Sequence, residues 1–404
     1  NLPSVEVVPQ HVEKRVDYNQ YSKLFYSMLM VLSFLVDLFS TETLTKKDPS
    51  TMLSESIMNL SLKLYHNMEN DASLKSENIF ISPVVLTSSL GVITLGARQN
   101  TANQVKSLLN VPLVEDSIHI LLSKLLTDAS DEAISDIDWK VSSRSYGPAW
   151  INLSPDFVEK SEVHYRHNSS KVNFRDKWHH ENQQMDLPVI DGALFINAML
   201  LKPHWAEAFS HKMVDKRGFM ISGTRTVSVQ MMHRTEDEPN QLQFLEIPLG
   251  KMQSSLLILM PFHMEPLEKV LTKENIYRWS DQLKEQAVAV SLPEADVGSI
   301  HELQKYLKQL GLVEAVDKSK ADFSGITGKP DLPLSHFLHA AGCEIQTGGN
   351  EFDENIFGRE ELKTPKLFYA DHPFIFFVQD TKTNSILFLG RLLNPRNGGN
   401  HDEL

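Results

Sequence analysis

The sequence has little cysteine and no linker. Cys343 is the single cysteine among 404 residues, so no disulfide can close within the chain. No Gly/Ser/Pro-rich stretch divides it and no internal repeat is visible, which favours one large domain. No GxSxG elbow, Walker loop or dinucleotide fingerprint occurs, so the common hydrolase, nucleotide and redox chemistries lack their carriers. His179-His180-Glu181 has neither the HExxH helical spacing nor a cysteine partner. No metal and no cofactor is therefore expected. Cys343 has no flanking basic group to lower its pKa, which argues against a nucleophile. Net positive charge is also missing: the formal charge is -13. That opposes non-specific binding to nucleic acid or anionic membrane, but leaves room for a local acidic site facing a basic partner.

What is present is globular. Hydrophobic residues make up 41% and charged residues 23% of the chain. Ile57, Leu60, Leu64 and Met68 recur at helical spacing and predict an amphipathic helix over 54–69. A short strand over 78–81 runs into Ser82-Pro83, an N-cap followed by proline at the first helical position. The helix that follows, 84–95, is apolar nearly all round and should be buried. Thr101 is expected to cap a helix over 102–109, and Asp116 a third. Helical patterns also cover 267–283 and 300–310, the latter stopped by Gly311. Strands are expected over 139–144, 193–201, 242–247, 255–260 and 287–292. A hairpin is expected from 373–379 and 385–392. Helices first and long apolar strands late predict an α+β architecture on large, mostly antiparallel sheets.

The two ends carry address signals. His401-Asp402-Glu403-Leu404 reads as a retrieval tetrapeptide for the endoplasmic reticulum, which makes the retrieval receptor an expected partner. Residues 396–404 are expected to be a flexible tail that exposes it. Entry into that compartment needs a signal, and the apolar run 24–39 is the candidate. With Met28 or Met30 as the start, 28–43 is a signal peptide; the alternative is an uncleaved membrane anchor. Residues 1–52 are accordingly set apart as an N-terminal extension. Glycosylation sequons stand at Asn59, Asn152 and Asn168, with Asn168 the preferred acceptor.

Five ordered motifs resemble the serpin family. They are Asn78-Ile79-Phe80-Ile81-Ser82-Pro83 with Leu95-Gly96-Ala97, Asn197 with Lys202 and Trp205, Leu310-Gly311-Leu312 with residues 321–326, His372-Pro373-Phe374-Ile375-Phe376, and Leu387-Phe388-Leu389-Gly390-Arg391. The resemblance covers about 53–395. It implies the serpin fold: three β-sheets, about eight helices and an exposed reactive loop at about 344–365. One helix of the family pattern is expected to be missing between Phe174 and Asp191, and one short strand after Arg234. Lys202-Pro203-His204-Trp205, Gly358-Arg359-Glu360-Glu361 and Lys366-Leu367-Phe368-Tyr369-Ala370-Asp371 are similar to the collagen-binding chaperone branch of that family. That implies a collagen triple helix as partner for a monomeric, non-enzymatic protein.

The hinge 344–354 bears on the alternative, protease inhibition. It lacks the small apolar run that inhibitors insert into a sheet, and burying Glu351, Asp353 or Glu354 unpaired costs several kcal/mol. Arg359 remains a cleavage candidate. Leu367, Tyr369 and Asp371 are spaced by two, so an extended strand turns all three to one face. Collagen presents its X and Y side chains outward, and an arginine among them can pair with Asp371. The resemblance adds Arg217, Met220 and Ser291 as flanking contacts. Release in a more acidic compartment would need histidine. The candidates are His372, His204, His211, His233, His263 and His339. Regular alternation would point His372 away from Asp371, so their coupling is expected to run through the fold.

Overall fold

The computed structural model describes residues 48–110, 115–130, 137–174, 192–206, 208–209, 214–222, 225–236, 243–261, 263–284, 288–330, 332–347 and 366–396. All elements below lie in the unit Pro49–Leu404. Helix α1, Pro49–Glu69, buries Ile57, Leu60, Leu64 and Met68, the residues whose spacing predicted it. Helix α2, Pro83–Gly96, is the centre of the core: every residue but Leu95 is buried. The Ser82 hydroxyl caps it by accepting from Val85 N at 3.5 Å and donates to Leu387 O at 2.9 Å. Gly91 lies where Tyr165 crosses the helix; a Cβ there would overlap the phenol. Helices α3 (Gln99–Leu109), α4 (Glu115–Ser130) and α5 (Pro155–Tyr165) pack around α2.

Fourteen strands form three sheets among the described residues. The first contains β1 (Ile79–Ile81), β7 (Gln243–Leu249), β8 (Ser254–Met260), β13 (Phe374–Asp380) and β14 (Ile386–Leu392), in the order β1-β14-β13-β8-β7. Phe80, Phe376 and Phe388 pack on one another there, with centroids 5.7–6.1 Å apart. Each buried side chain of this size contributes about 1.5–3 kcal/mol. Arg391 of β14 is buried but paired. Its Nη1 donates to Glu268 Oε1 at 3.1 Å, and the Tyr65 hydroxyl donates to the same oxygen at 2.7 Å.

The second sheet has the order β10-β11-β4-β2-β3, from β2 (Ile137–Pro148), β3 (Asn168–Val172), β4 (Ala193–Pro203), β10 (Ala295–Glu302) and β11 (Leu334–Ile345). β4 and β11 pair directly and in parallel from Ala193 to Leu201, with no strand between them. The third sheet has the order β12-β9-β6-β5, from β5 (Val214–Ser222), β6 (Arg225–Glu236), β9 (Val288–Pro293) and β12 (Lys366–Tyr369).

Four sequence expectations need correction. Residues 267–283 are two helices, α6 (Met264–Val270) and α7 (Lys273–Ser280), because the Thr272 hydroxyl caps a new start by accepting from Asn275 N. Residues 300–302 belong to β10; helix α8 spans only Gln304–Gln309, and Gly311 follows it at φ 110°. Thr101 lies inside α3 rather than capping it, and its hydroxyl accepts from Asp322 N instead. The helix expected to start with Asp116 as its cap begins at Glu115. With the short α9 (Ser324–Thr327), nine α-helices lie among the described residues, against about eight expected. Residues 175–191 and 237–242, where a helix and a strand were expected to be missing, lie outside the described residues, as do the signal candidate 28–43 and loop residues 348–365. No described helix is long and apolar enough to cross a membrane.

Candidate functional site

The predicted surface gathers at the edge of the third sheet. β12 lies parallel to β9, with Leu367 opposite Ala289 and Tyr369 opposite Ser291. Alternation turns Leu367 and Tyr369 to one face while Phe368 is buried on the other. Leu367 is 77% exposed, a large apolar side chain with no core to fill. Tyr369 is half-buried. The strand then stops. Ala370 N donates to Ser291 O at 2.8 Å, Asp371 N turns back to Tyr369 O at 3.0 Å, and Met220 N donates to Asp371 O at 2.6 Å. This last bond ties the end of β12 to β5. It brings Asp371 beside Met220, which is 42% exposed.

Arg217 stands on the same β5. Its Nε and Nη2 grip the Asp215 carboxylate at 2.9 and 2.7 Å, and hydrogen bonding to Asp215 holds its pKa up. The Tyr369 phenol is pushed up, chiefly by burial. Arg217 opposes that shift, while Asp371 and Asp215 reinforce it. Asp215 was given no contact role in the sequence reading. Its spacing of two from Arg217 on a strand is the signal that could have found it. Ser291 is buried, at 7% exposure, so it supports β12 through its backbone more than it offers a surface.

Asp371 and His372 break the expected alternation. The chain bends after Tyr369, and His372 Nδ1 lies 2.7 Å from Asp371 Oδ1. The coupling is direct, not routed through the fold. The other ring nitrogen, Nε2, lies 3.0 Å from Pro261 O. Both partners are acceptors. A neutral imidazole carries one N–H and can serve only one of them; the imidazolium serves both.

The remaining histidines are scattered. His204 Nε2 lies 2.9 Å from Asp138 Oδ1, at the end of the second sheet. His339 is fully buried in that sheet, accepting from Ser82 N at 2.9 Å and bonded to Asn197 Oδ1. Burial, and then His301, lowers its pKa to about 3. His263 is exposed at the start of α6. His233 lies opposite Ser291 on β6, with its side chain outside the described residues, and His211 is outside them altogether. So are Arg359 and the tetrapeptide His401 to Leu404. Asn168 and Asn152 are exposed, whereas Asn59 is half-buried within α1. Among the described residues no group of three or more His, Cys, Asp or Glu is placed to hold a metal ion. Cys343 is buried, and burial pushes its thiol pKa up.

A family model described as Serpin (serine protease inhibitor) matches residues 55–189 and 183–395. Serpin H1 of Gallus gallus is 45% identical over 403 residues, covering 93% of this chain and 99% of that protein. Serpin H1 of Mus musculus is 46% identical over 391 residues, covering 90% and 93%. The crystal structure of uncleaved ovalbumin matches in fold with a TM-score of 0.74, at 22% identity, over 85% of this chain and all of that one.

Proposed function

From the premise that this chain belongs to the serpin family, we propose that it is a non-enzymatic, non-inhibitory chaperone of the endoplasmic reticulum lumen that binds folded collagen at the β12 edge. The observation that carries this reading is the half-exposed Asp371 carboxylate, 42% accessible, at the end of a strand that presents Leu367 and Tyr369. A triple helix offers outward arginine and apolar side chains on a rod. The arginine pairs with Asp371, and Leu367 and Tyr369 pack against its neighbours. Withdrawing either charge from such a desolvated pair strands the other, which is why the pair carries specificity.

Acid release follows from the contact beside it. Once His372 is protonated, it donates to Asp371 and to Pro261 O together. An internal cation then occupies the carboxylate that the ligand's arginine needs. The hinge supports the absence of inhibition. β11 already pairs with β4, Glu344 is tied to Lys202 at 3.0 Å, and the chain beyond carries Glu351, Asp353 and Glu354. Burying those carboxylates in a sheet is costly.

The test is titration of a triple-helical peptide containing one arginine, at neutral and mildly acidic pH, against the protein and its Asp371→Asn variant. Losing one partner of the pair costs about 2 kcal/mol or more, so neutral-pH affinity should fall at least about 30-fold. Equal affinity of the two proteins would reject this site.

A further inference from the structure

The turn between β2 and α5 presents an asparagine beside an exposed indole. It reads Trp150-Ile151-Asn152-Leu153-Ser154, and the last three residues are one of the chain's sequons. The turn is pinned from beneath. Ile151 is 3% exposed and its N–H donates to Pro148 O at 3.1 Å. Its side chain fills the space that a Cβ on Gly147 would take. Leu153 packs against the core, and Ser154 N donates to Ile326 O at 2.7 Å. Pro155 opens α5 and restricts the residue before it to extended backbone; Ser154 lies at φ -66° and ψ 126° and makes no side-chain cap bond to the helix.

Trp150 and Asn152 flank the buried Ile151 and are both exposed, Trp150 by 62%. Residues two apart in extended chain share a side, so the indole and the amide stand together facing water. Trp150 is the only aromatic among the exposed large apolar side chains of the described residues. A pyranose ring has a face of slightly positive C–H bonds. That face settles on the negative face of an indole while the sugar hydroxyls stay in water. The other two sequons have no such platform. Two residues before Asn168 stands Arg166, and Asn168 Oδ1 accepts from Ser170 Oγ, the hydroxyl of its own sequon, at 3.4 Å. Two residues before Asn59 stands Ile57, fully buried, and Asn59 itself is half-buried.

We propose that Asn152 is the preferred glycan acceptor, ahead of Asn168, and that the first sugar of its N-linked chain packs on Trp150. The glycan covers the indole and closes that surface to other partners. The inference rests on the lumenal reading above, because N-linked transfer takes place in that compartment. The turn shares no residue with the β12 edge, so glycan and triple helix do not compete for side chains.

The test is expression of the full chain in animal cells, once as it stands and once behind the cleavable signal peptide of a secreted protein. Peptide N-glycosidase digestion in heavy-oxygen water marks each occupied asparagine for mass spectrometry. In the signal-led protein Asn152 should be occupied, and more fully than Asn168. Ser154→Ala, which keeps the asparagine and removes the sequon, should abolish the mark. Packing on Trp150 is read by a double-mutant cycle. Asn152→Gln should lower the melting temperature by about two degrees in the wild type, and by less than half as much in a Trp150→Ala background. Occupancy of Asn168 above that of Asn152, or no occupancy at Asn152, overturns the proposal. An equal shift in the two backgrounds overturns the role of the indole. If only the signal-led protein is modified at Asn152, the inference stands and the lumenal reading falls; if Asn168 alone is modified in both, the reverse holds.

Discussion

The edge of the third sheet and the interior of the second both hold histidines, and the two regions surround the ring in different ways. At the edge, His372 faces a carboxylate and a carbonyl, both hydrogen-bond acceptors. In the interior, His167 is held between the hydroxyls of Ser143 and Ser145 and stacks on Phe195. His301 and His339 stand opposite each other across β10 and β11. Burial lowers the pKa of His167 and of His301 to about 4. The interior histidines are thus an acid liability, whereas His372 sits among acceptors, where we propose that it competes with the ligand. What differs is whether its neighbours carry negative charge or shield it from water.

The largest effect should come from the interior. These histidines are neutral in the fold and have an ordinary pKa near 6.5 once unfolded. Between that value and about 4 the unfolded chain binds more protons. Stability is therefore full above about pH 6.5 and is lost as pH falls through that window. For His167 the loss is roughly 2 kcal/mol by pH 5. Urea unfolding at pH 7 and pH 5 measures it, and His167→Gln should remove that share of the difference. An unchanged difference in the variant would mean that the interior does not resist protonation, and the contrast with the edge would collapse.

Next in size is the loss of at least about 30-fold in triple-helix affinity expected of Asp371→Asn. A smaller change sharpens the comparison more. His372→Gln keeps a polar side chain beside Asp371 but cannot become a cation. Neutral-pH affinity should stay within a few-fold, while the drop on acidification shrinks. If the acid drop persists undiminished, release belongs to the interior histidines and not to the edge.

Sequence reasoning reached the elements whose signals were local and redundant. Helix α2 was legible because Ser82-Pro83 starts it and an all-apolar run continues it. Leu367 and Tyr369 were legible because a strand's period of two settles which residues share a face. The errors fell where a local hydrogen bond outweighed periodicity. The Thr272 hydroxyl splits an otherwise continuous helical pattern. The backbone turn from Asp371 N to Tyr369 O ends the alternation that had separated Asp371 from His372. Pro261 O is 111 residues from His372, and no spacing rule connects them.

The smallest expected effect is on stability, and it separates a binding surface from a core. Leu367 sits in the same strand as Phe368, yet the first is 77% exposed and the second 4%. Truncating an exposed side chain away from caps and cavities typically changes stability by no more than about 0.5 kcal/mol. Leu367→Ala should therefore leave the melting temperature within a degree or two, while triple-helix affinity falls several-fold through lost apolar contact. Phe368→Ala is the reference: about 3–5 kcal/mol of destabilisation from a buried cavity. Were Leu367→Ala to lower the melting temperature as Phe368→Ala does, its exposure would be illusory. The strand would then be turned the other way, and the face that offers Leu367 and Tyr369 beside Asp371 would not exist.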